Sequence, residues 1–545
     1  MGAEDPEPRS GSDRFIKFGG VACHDPVMQE IELKLQVPAA QRAAVEAAVA
    51  GRTPAPRVRL QAAYHDTAER TLALAGLALR LRREGRQWVQ TLKGAGDDGL
   101  TRAEHNVPRG AGTAVPAIDP RLHAGTNVGD RLLALLGANT GSPLQTLYRT
   151  DIHRRTRAQL VRSPGRPQSR VELAFDAGRI EAGAASIEVC ELEIELLDGT
   201  PVAVIETARR WLPRFGLWLD GRSKAERGDL LARGEAVAPA RMAAAVRLAP
   251  QMNAAAAWQA VLRSCADQIL ANASQIASGT HAPEHVHQLR VGLRRLRSAL
   301  ALFEDDRPGL AEGAAALFRR LGAARDGVVI DAEFGAELAA AMRVARLADE
   351  AAPVAAPFAA PADTVPPAMI LREHASQTLL LDLLAAMHAE PGPASAPASA
   401  LETVPADTRA VRDRLAARLN RWHRQVVADA ARYGELEDEA RHRLRKRAKR
   451  LRYATEFCAA LFERRAVRRY LKALRALQER LGAVSDAVMA MDAFGARATV
   501  DPQAMFALGW LASRRETLIA AAGPELKAFA RVERFWKKKG GANAD

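Results

Sequence analysis

The stretch Gln29-Glu30-Ile31-Glu32-Leu33-Lys34-Leu35 alternates strictly between polar and apolar residues. Successive side chains of a β-strand point to opposite faces, so Glu30, Glu32 and Lys34 share one face of the predicted strand. The two carboxylates lie roughly 7 Å apart along such a strand, and hard cations such as Mg2+ and Mn2+ prefer oxygen ligands of this kind. A metal-binding face is one interpretation of this strand, and a solvated outer face is the other.

The length of the chain, 545 residues, is too great for one hydrophobic core, and we expect two or three domains. The sequence contains no uninterrupted apolar run of about 18 residues, so it predicts no transmembrane helix. Residues 1–27 are polar, contain Gly and Pro, and lack the basic-then-apolar pattern of a signal peptide. We expect a flexible tail there, with Met28 as an alternative start.

The net charge of the chain indicates the kind of partner, and the spacing of its cysteines indicates the cellular compartment. A formal net charge of +14 and a pI near 10.1 indicate a polyanionic partner, or pockets that hold one. The cysteines are scattered, without the paired spacing of a disulfide or zinc framework: Cys23, Cys190, Cys265 and Cys458. Such thiols are typical of the reducing cytosol, and we expect a cytoplasmic protein.

Alternation with a period of two continues through residues 28–230 and predicts a largely β domain. Further strand-like segments are 57–67, 78–82, 87–93, 101–104, 170–176 and 190–196, with an Arg-rich group that begins at Tyr148. Gly85 and the stretch 94–99 are typical of hairpin turns. Helices are expected at 38–50, 117–137 and 201–215.

The segment Cys190–Leu196 repeats the acidic alternation, with Glu191, Glu193 and Glu195 on one face. Like charges on one face are costly unless they are compensated. Basic residues alternate on the nearby strands at Arg80, Arg82, Lys93, Arg102 and Arg154. A barrel with the charged faces inward would let the acids bind metal and the basic residues bind phosphates. A buried unpaired charge costs several kcal/mol, so this interior implies a charged occupant.

These residues together resemble the CYTH domain of the triphosphate tunnel metalloenzymes. The resemblance covers about residues 28–230 and rests on Glu30-x-Glu32-x-Lys34, the Tyr64–Thr67 turn, Arg80-x-Arg82, Thr91-x-Lys93, Glu191-x-Glu193-x-Glu195 and Lys224. It implies an α+β domain built on an antiparallel eight-stranded β-tunnel. It also implies hydrolysis or cyclisation of triphosphates, with Mg2+ or Mn2+ as the cofactor.

The resemblance implies roles for single residues. The metal ligands would be Glu30, Glu32, Glu193 and Glu195, with Glu104, Glu172 and Glu191 as further tunnel-facing candidates. The phosphates would be held by Lys34, Arg80, Arg82, Lys93, Arg102, Arg154 and Lys224. Glu30, Glu32 and Lys34 are the candidate catalytic residues. One cation would neutralise the bridging oxygens and a second would help to activate a water, while the ring of cations positions the phosphates.

From residue 247 the pattern becomes helical, with Ala, Leu and Arg at a spacing of 3.6 residues. One basic stripe consists of His287, Arg290, Arg294 and Arg297, and its spacing returns at His442, Arg445, Lys449 and Arg452. The motif Leu321-Gly322-x-x-Arg325-Asp326 is echoed by Leu481-Gly482-x-x-Ser485-Asp486. We interpret this as an internal duplication. Like charges at this spacing disfavour an isolated helix, so the stripes predict two facing helices that share a polyanion; a solvated face is the alternative.

The helical motifs resemble the CHAD domain. The resemblance covers about residues 247–535 and implies an all-α bundle of two four-helix repeats that binds inorganic polyphosphate along a basic channel, with the eight stripe residues as contacts. The two histidines are interpreted as phosphate contacts, because no acidic residues share their stripes. We expect a linker at 231–246, a Pro/Ala-rich insert at 351–405 around a helix at 368–389, and a disordered tail at 536–545.

This layout is similar to that of bacterial inorganic triphosphatases. We expect metal-dependent hydrolysis of tripolyphosphate to pyrophosphate and phosphate, with the helical domain bound to polyphosphate and the protein associated with polyphosphate granules. The alternatives are a thiamine triphosphatase, an adenylyl cyclase and a non-catalytic polyphosphate-binding protein. No membrane partner is expected. Nucleic acid is not the expected partner either, because an aromatic fraction of 5% offers little base stacking.

Overall fold

The structure is a computed structural model of the chain. It describes residues 28–52, 57–95, 100–138, 142–305, 307–322, 334–345, 347, 365–389, 408–495 and 498–537. The predicted tail 1–27 lies outside the described residues, as do Cys23, Arg325, Asp326 and the insert except for 365–389.

The N-terminal domain is a closed antiparallel sheet. Its eight main strands are β1 (Met28–Gln36), β2 (Arg57–Asp66), β3 (Leu77–Glu84), β4 (Gln87–Ala95), β5 (Thr101–Ala111), β6 (Gln145–Val161), β7 (Ser169–Ala182) and β8 (Ala185–Asp198). They follow the order β5-β4-β3-β2-β6-β7-β8-β1, and β1 pairs with β5 to close the barrel. A two-residue strand, β9 (Trp218–Leu219), pairs with the end of β1. The predicted eight-stranded antiparallel tunnel is confirmed.

Helices cover the outside of this barrel. They are α1 (Arg42–Ala50), α2 (Thr71–Leu74), α3 (Asn127–Ala138), α4 (Val202–Phe215) and α5 (Lys224–Ala232). The outward residues of β1 and of the middle of β7 and β8, such as Leu33, Leu173 and Leu192, are apolar and belong to one core with the buried face of α4. The structure replaces the predicted helix 117–137 with a 3-10 turn at Pro120–His123 followed by α3, because Gly125 adopts a φ of +80° that no helix accommodates.

The C-terminal half is helical. Its helices are α6 (Ala254–Ala277), α7 (Pro283–Phe303), α8 (Pro308–Arg320), α9 (Ala336–Val344), α10 (Pro367–Arg372), α11 (His374–Met387), α12 (Thr408–Ala431), α13 (Asp438–Cys458), α14 (Arg464–Gly495), α15 (Pro502–Ala521) and α16 (Gly523–Ala530). One bundle consists of α6, α7, α8 and α11, and the other of α12, α13, α14 and α15. Helices α7 and α13 pack against each other, and each spans 21 residues. The predicted two-bundle architecture is thus present.

Several boundaries differ from the predicted ones. Helix α5 continues to Ala232, past the predicted end of the first domain. Trp536, which we assigned to the tail, is 8% exposed and packs edge-on against Tyr470 and Phe535. Aromatic burial therefore extends the helical domain by at least this residue.

One hydrophobic core runs through both domains. It includes Leu35 and Leu219 of the barrel together with Ile276 and Leu380 of the helical half. Among the described residues, no helix combines the length and the hydrophobicity needed to cross a membrane. The described cysteines are free thiols: Cys190, Cys265 and Cys458.

Candidate functional site

The strand register places the predicted charged residues inside the barrel. Residues that pair directly across antiparallel strands point to the same face of the sheet. On β1, β7 and β8 the inward residues include Glu30, Glu32, Lys34, Glu172, Asp176, Glu191, Glu193 and Glu195. On β3, β4, β5 and β6 they include Arg80, Arg82, Lys93, Arg102, Glu104 and Arg154. An acidic wall therefore faces a mostly basic one.

Three carboxylates form a row across the acidic wall. Glu195 pairs in register with Glu32 on one side and with Glu172 on the other. Within the described structure, Glu172 and Glu195 form no ion pair. Burial, together with the neighbouring charges of Glu32 and Glu172, raises the pKa of Glu195 to about 7. The row therefore carries more negative charge than the neighbouring cations neutralise.

Lys34 lies beside the row and belongs to the catalytic candidates. Its Nζ contacts a carboxylate oxygen of Glu32 and lies 3.2 Å from Oε1 of Glu193. Glu32 is 6% exposed; burial acts to raise its pKa, but the positive charges of Lys34, Lys93 and Arg102 together outweigh this and lower it. Arg102 approaches Glu32 from β5 with its Nε at 3.5 Å. The Glu32 carboxylate is therefore held ionised.

Glu30 shares a cation with Glu104. Nζ of Lys93 lies 2.7 Å from Oε2 of Glu30 and also contacts Glu104. Burial raises the pKa of Glu30 to about 8, because Lys93 offsets only part of the desolvation. Arg80 lies 3.9 Å from Glu104 and donates to the hydroxyl of Tyr64 at 3.3 Å. Lys93 therefore joins the first strand of the acidic wall to the basic wall.

A second acidic group lies deeper in the barrel. Carboxylate oxygens of Asp176, Glu191 and Glu193 all lie within 4.8 Å of one another. Cations already hold this group: Lys224 contacts all three residues, at 2.6 Å from Asp176 and 3.0 Å from Glu193, and Arg154 donates to Asp176 at 2.7 Å. Arg227 of α5 pairs with Glu191. The contacts form a buried ion-pair network around three carboxylates that could also hold a metal ion.

Asp176 and Arg227 were not among our candidates. Asp176 is fully buried, and the alternation of its strand places it on the same face as Glu172, which is the signal that could have identified it. Arg227 lies three residues after Lys224, so one helix presents both cations to the barrel.

Beyond this network the barrel contains an apolar cluster, which the sequence analysis did not predict. Tyr64 and Tyr148 stack with ring centroids 4.7 Å apart, in a cluster with Ile180 and Val189. Gly228 of α5 lies so close to the ring of Tyr148 that a Cβ atom there would lie 2.3 Å from it. Helix α5 therefore seals this part of the interior.

Two arginines of the basic wall have unused donors. The Nε atoms of Arg80 and Arg82 are buried and have no hydrogen-bond partner. Arg82 pairs only with Glu84 of its own strand among the ion pairs of the described residues. Burial lowers the pKa of Arg82, and the nearby charge of Arg80 adds to this effect. Buried donors of this kind need an acceptor, and an anion in the tunnel would supply one.

The geometry fits a hard cation on the opposite wall. Glu32, Glu172, Glu193 and Glu195 offer oxygen ligands on three neighbouring strands, and Glu30 lies on the same strand as Glu32. Burial and neighbouring carboxylates raise the pKa values of two of the five, Glu30 and Glu195, as expected where like charges are poorly solvated. Mg2+ and Mn2+ favour such donors.

In the helical domain the two predicted stripes lie on α7 and α13, which pack together. We call the set His287, Arg290, Arg294, Arg297, His442, Arg445, Lys449 and Arg452 the basic groove. Burial, together with the positive charges of Arg445 and Arg294, lowers the pKa of Lys449 to about 6, so charges from both helices act on one ammonium group. Arg297 is exposed at the end of its stripe, and Arg452 pairs with Glu456 at 3.3 Å.

The repeated Leu-Gly pairs pack beside the groove arginines. Arg290 donates to the carbonyl of Leu321 at 3.0 Å, and a Cβ on Gly322 would lie 3.5 Å from Nη1 of Arg290. In the second repeat, Gly482 is next to Arg445, which donates to Asp486 at 3.1 Å. The duplicated motif therefore leaves room for one guanidinium in each half.

Comparison with known proteins agrees with this arrangement. The CYTH domain family matches residues 28–228 and the CHAD domain family matches residues 260–495. An inorganic triphosphatase of Haemophilus influenzae is 31% identical over 171 residues, which are 31% of this chain and 44% of that protein, so the match spans less than half of that relative.

Two further similarities cover more of the chain or of the helical half. An uncharacterised protein of Mycobacterium tuberculosis is 30% identical over 434 residues, which are 75% of this chain and 77% of that protein. The crystal structure of the CHAD domain from the plant Ricinus communis is 28% identical, covers 54% of this chain and 97% of that one, and superposes with a TM-score of 0.40. The chain belongs to the proteins in which a CYTH domain is followed by a CHAD domain.

Proposed function

We propose that the tunnel hydrolyses inorganic tripolyphosphate to pyrophosphate and phosphate with the help of Mg2+ or Mn2+. One observation carries this proposal: inside one closed barrel, an acidic row in which Glu172 and Glu195 form no ion pair among the described residues faces two arginines, Arg80 and Arg82, whose buried Nε donors have no acceptor. A metal–triphosphate complex would supply both missing partners. A neutral or singly charged ligand would leave one wall uncompensated.

The acidic wall and the basic wall would bind different parts of the metal–triphosphate complex. Glu30, Glu32, Glu193 and Glu195 would hold the metal, which when bound would polarise the phosphoryl oxygens and help to activate water. Arg80, Arg82 and Lys93 would bind the phosphate chain from the basic wall. Lys34 contacts Glu32 and Glu193 directly, so it holds these two acids in position while its ammonium can also reach a phosphate oxygen.

Arg154 and Lys224 are shared between carboxylates and substrate. Both are bound to Asp176 and Glu193, and an incoming phosphate would share these cations rather than displace the carboxylates. Because the cations are already ordered, little side-chain entropy is lost when the substrate binds.

The closed apolar part of the barrel favours a substrate without an organic group. Tyr64, Tyr148 and α5 fill the interior beyond the ion-pair network, which leaves no described space there for a nucleoside or a thiazolium ring. The relative from Haemophilus influenzae, which is named an inorganic triphosphatase, supports the same choice.

The test is a substrate panel on the full chain with Mg2+ or Mn2+. Tripolyphosphate should give the highest kcat/KM, above ATP and thiamine triphosphate. Glu30→Gln and Glu193→Gln should abolish phosphate release, whereas Glu188→Gln, on the outward face of β8 and largely exposed, should leave it unchanged. Cyclic AMP formed from ATP would favour the cyclase alternative. The absence of phosphate release from every substrate would favour a non-catalytic binder.

We further propose that the basic groove binds inorganic polyphosphate. Two packed helices present their cations to each other, and burial keeps these cations poorly solvated until an anion arrives. Polyphosphate held there would raise the local concentration of substrate for the tunnel. Arg294→Ala and Lys449→Ala should weaken polyphosphate binding, whereas Lys446→Ala, on the exposed face of α13, should not. Equal affinities for all three variants would contradict the proposal.

A further inference from the structure

The segment Trp218–Ser223, which we call the bridging segment, joins β9 to α5 and lies against the tunnel. The amide of Asp220 donates to the carbonyl of Lys34 at 3.1 Å. Arg102 donates from Nη2 to the carbonyl of Gly221 at 3.3 Å. The bridging segment is therefore hydrogen-bonded both to the strand that carries the catalytic candidates and to a candidate phosphate ligand.

The bridging segment also sets the start of α5. Ser223 caps the helix, because its Oγ accepts from the amide of Glu226 at 3.1 Å and the Glu226 carboxylate accepts from the amide of Ser223 at 2.7 Å. This capping box fixes the first turn of the helix. Lys224, the first residue of that turn, reaches Asp176 inside the barrel.

The helical domain binds the same segment from the other side. The amide of Leu219 donates to Oε1 of Gln377 at 2.7 Å, and the amide of Gly221 donates to Oγ of Ser274 at 3.0 Å. Ser274 and Gln377 are 2% and 1% exposed. Both acceptor side chains are therefore shielded from water, and the bond to Leu219 is buried.

The acceptors are themselves fixed in place. Gln377 donates from Nε2 to the carbonyl of Leu371 at 2.7 Å, which orients its Oε1 toward the bridging segment. Arg372, the next residue, places its guanidinium 4.2 Å from the ring centroid of Trp218. The helical domain thus presents a preformed surface to the bridging segment.

We propose that Ser274 and Gln377 of the CHAD domain are positioning residues for the CYTH tunnel. They hold the bridging segment, and the segment in turn places Lys224, Arg102 and the Lys34 strand around the triphosphate. This inference rests on the proposed triphosphatase function. It makes the helical domain a structural part of the tunnel site, in addition to any polyphosphate that the basic groove binds.

The reason is the cost of an unpaired buried amide. Removal of the Gln377 acceptor leaves the buried amide of Leu219 without a partner, and removal of the Ser274 hydroxyl leaves the part-buried amide of Gly221 without the partner that fixes its position. The bridging segment is then expected to move until water can reach these amides. Small displacements of this kind are costly to catalysis, since a shift of about 1 Å at a positioned group can reduce rates by up to about a hundredfold.

The experiment compares four full-length variants in steady-state hydrolysis of tripolyphosphate with Mg2+. Ser274→Ala and Gln377→Met remove the acceptors, Ser274→Thr keeps the hydroxyl, and Thr455→Ala is the control. Thr455 is a fully buried helical hydroxyl that bonds only within its own helix, to the carbonyl of Leu451 at 2.8 Å. The midpoint of thermal unfolding is recorded for each variant.

We expect Ser274→Ala and Gln377→Met each to reduce kcat/KM roughly fivefold or more, which is the loss of one buried hydrogen bond. Ser274→Thr should restore most of the activity, and Thr455→Ala should keep wild-type kinetics. Wild-type kinetics in both acceptor variants would overturn the inference. The inference would also be overturned if Thr455→Ala lost as much activity as the acceptor variants for the same drop in unfolding midpoint. The effect would then be general destabilisation.

A separate readout distinguishes this inference from the proposed function. If the wild type hydrolyses no triphosphate, the proposed function fails, and the variants are compared by calorimetric binding of tripolyphosphate in EDTA. Weaker binding by Ser274→Ala and Gln377→Met than by Thr455→Ala would then uphold the positioning role. Equal binding by all three variants would refute it.

Discussion

Nζ of Lys224 lies 2.6 Å from Oδ2 of Asp176, so a helix outside the barrel supplies a cation to its interior. Asp176 is fully buried, and burial acts to raise its pKa, but the positive charges of Arg154 and Lys224 outweigh this and lower it. The carboxylate is therefore ionised, and it balances two cations that are also assigned to the substrate.

Asp176→Asn should destabilise the unliganded chain. The substitution leaves Arg154 and Lys224 with one buried counter-charge fewer, and breaking a buried pair in this way costs about 3 kcal/mol or more. Urea unfolding in EDTA measures the effect. Asp151→Asn is the control, because its partner Arg59 is 55% exposed and such surface pairs contribute less than about 1 kcal/mol.

The same variant tests whether the substrate occupies this position. Tripolyphosphate adds negative charge near Arg154 and Lys224, so it should stabilise Asp176→Asn more than it stabilises the wild type. Equal stabilisation of the two proteins would place the phosphates elsewhere.

Arg82→Ala should raise the KM for tripolyphosphate about tenfold, because the buried guanidinium lacks a partner across the barrel and its Nε has no acceptor. Arg83→Ala is the matched control. Arg83 points outward from the same strand, where it donates to the carbonyl of Gly85 and lies over Trp88. Steady-state kinetics should separate the two, and similar KM values would show that inward orientation is not what binds the substrate.

When polyphosphate binds, the amine of Lys449 should take up a proton from solution. The free-state pKa of about 6 leaves this amine mostly neutral at pH 7.5, and a bound polyanion raises the pKa. Affinity should therefore be constant below about pH 6 and fall with rising pH above it, by at most about tenfold per unit.

Calorimetry in buffers of different ionisation enthalpy, between pH 7 and 8.5, measures this uptake. Burial lowers the pKa of His442, and the variant Lys449→Arg separates proton uptake at that imidazole from uptake at Lys449. Lys449→Arg keeps its charge and should bind polyphosphate without proton uptake. Uptake that persists in Lys449→Arg would assign the proton to another group.

The sequence predicted the tunnel well because alternation determines which face a strand residue occupies. Once Glu32 and Arg80 point into a closed sheet, every charged residue two or four positions away on the same strand also points inward. The basic groove was predictable for the same reason, since helical spacing groups Arg290 with Arg294.

The partners of these residues could not be predicted, because they depend on contacts between distant segments. The ion pairs of Asp176 depend on how far β7 is staggered against β6 and on where α5 docks. The apolar filling around Tyr148 has no local signature that separates it from an ordinary core. The contact of Gly221 with Ser274 requires the docking of two domains, which no strand or helix pattern encodes.

The central claim is that the acidic and basic walls act together on a metal-bound triphosphate. The most direct measurement is phosphate release from tripolyphosphate by the full chain, with EDTA or Mg2+, for the wild type and Glu32→Gln. We predict release by the wild type with Mg2+ only, and a loss of at least about a hundredfold in Glu32→Gln. Release in EDTA, or a Glu32→Gln variant as active as the wild type, would contradict the account.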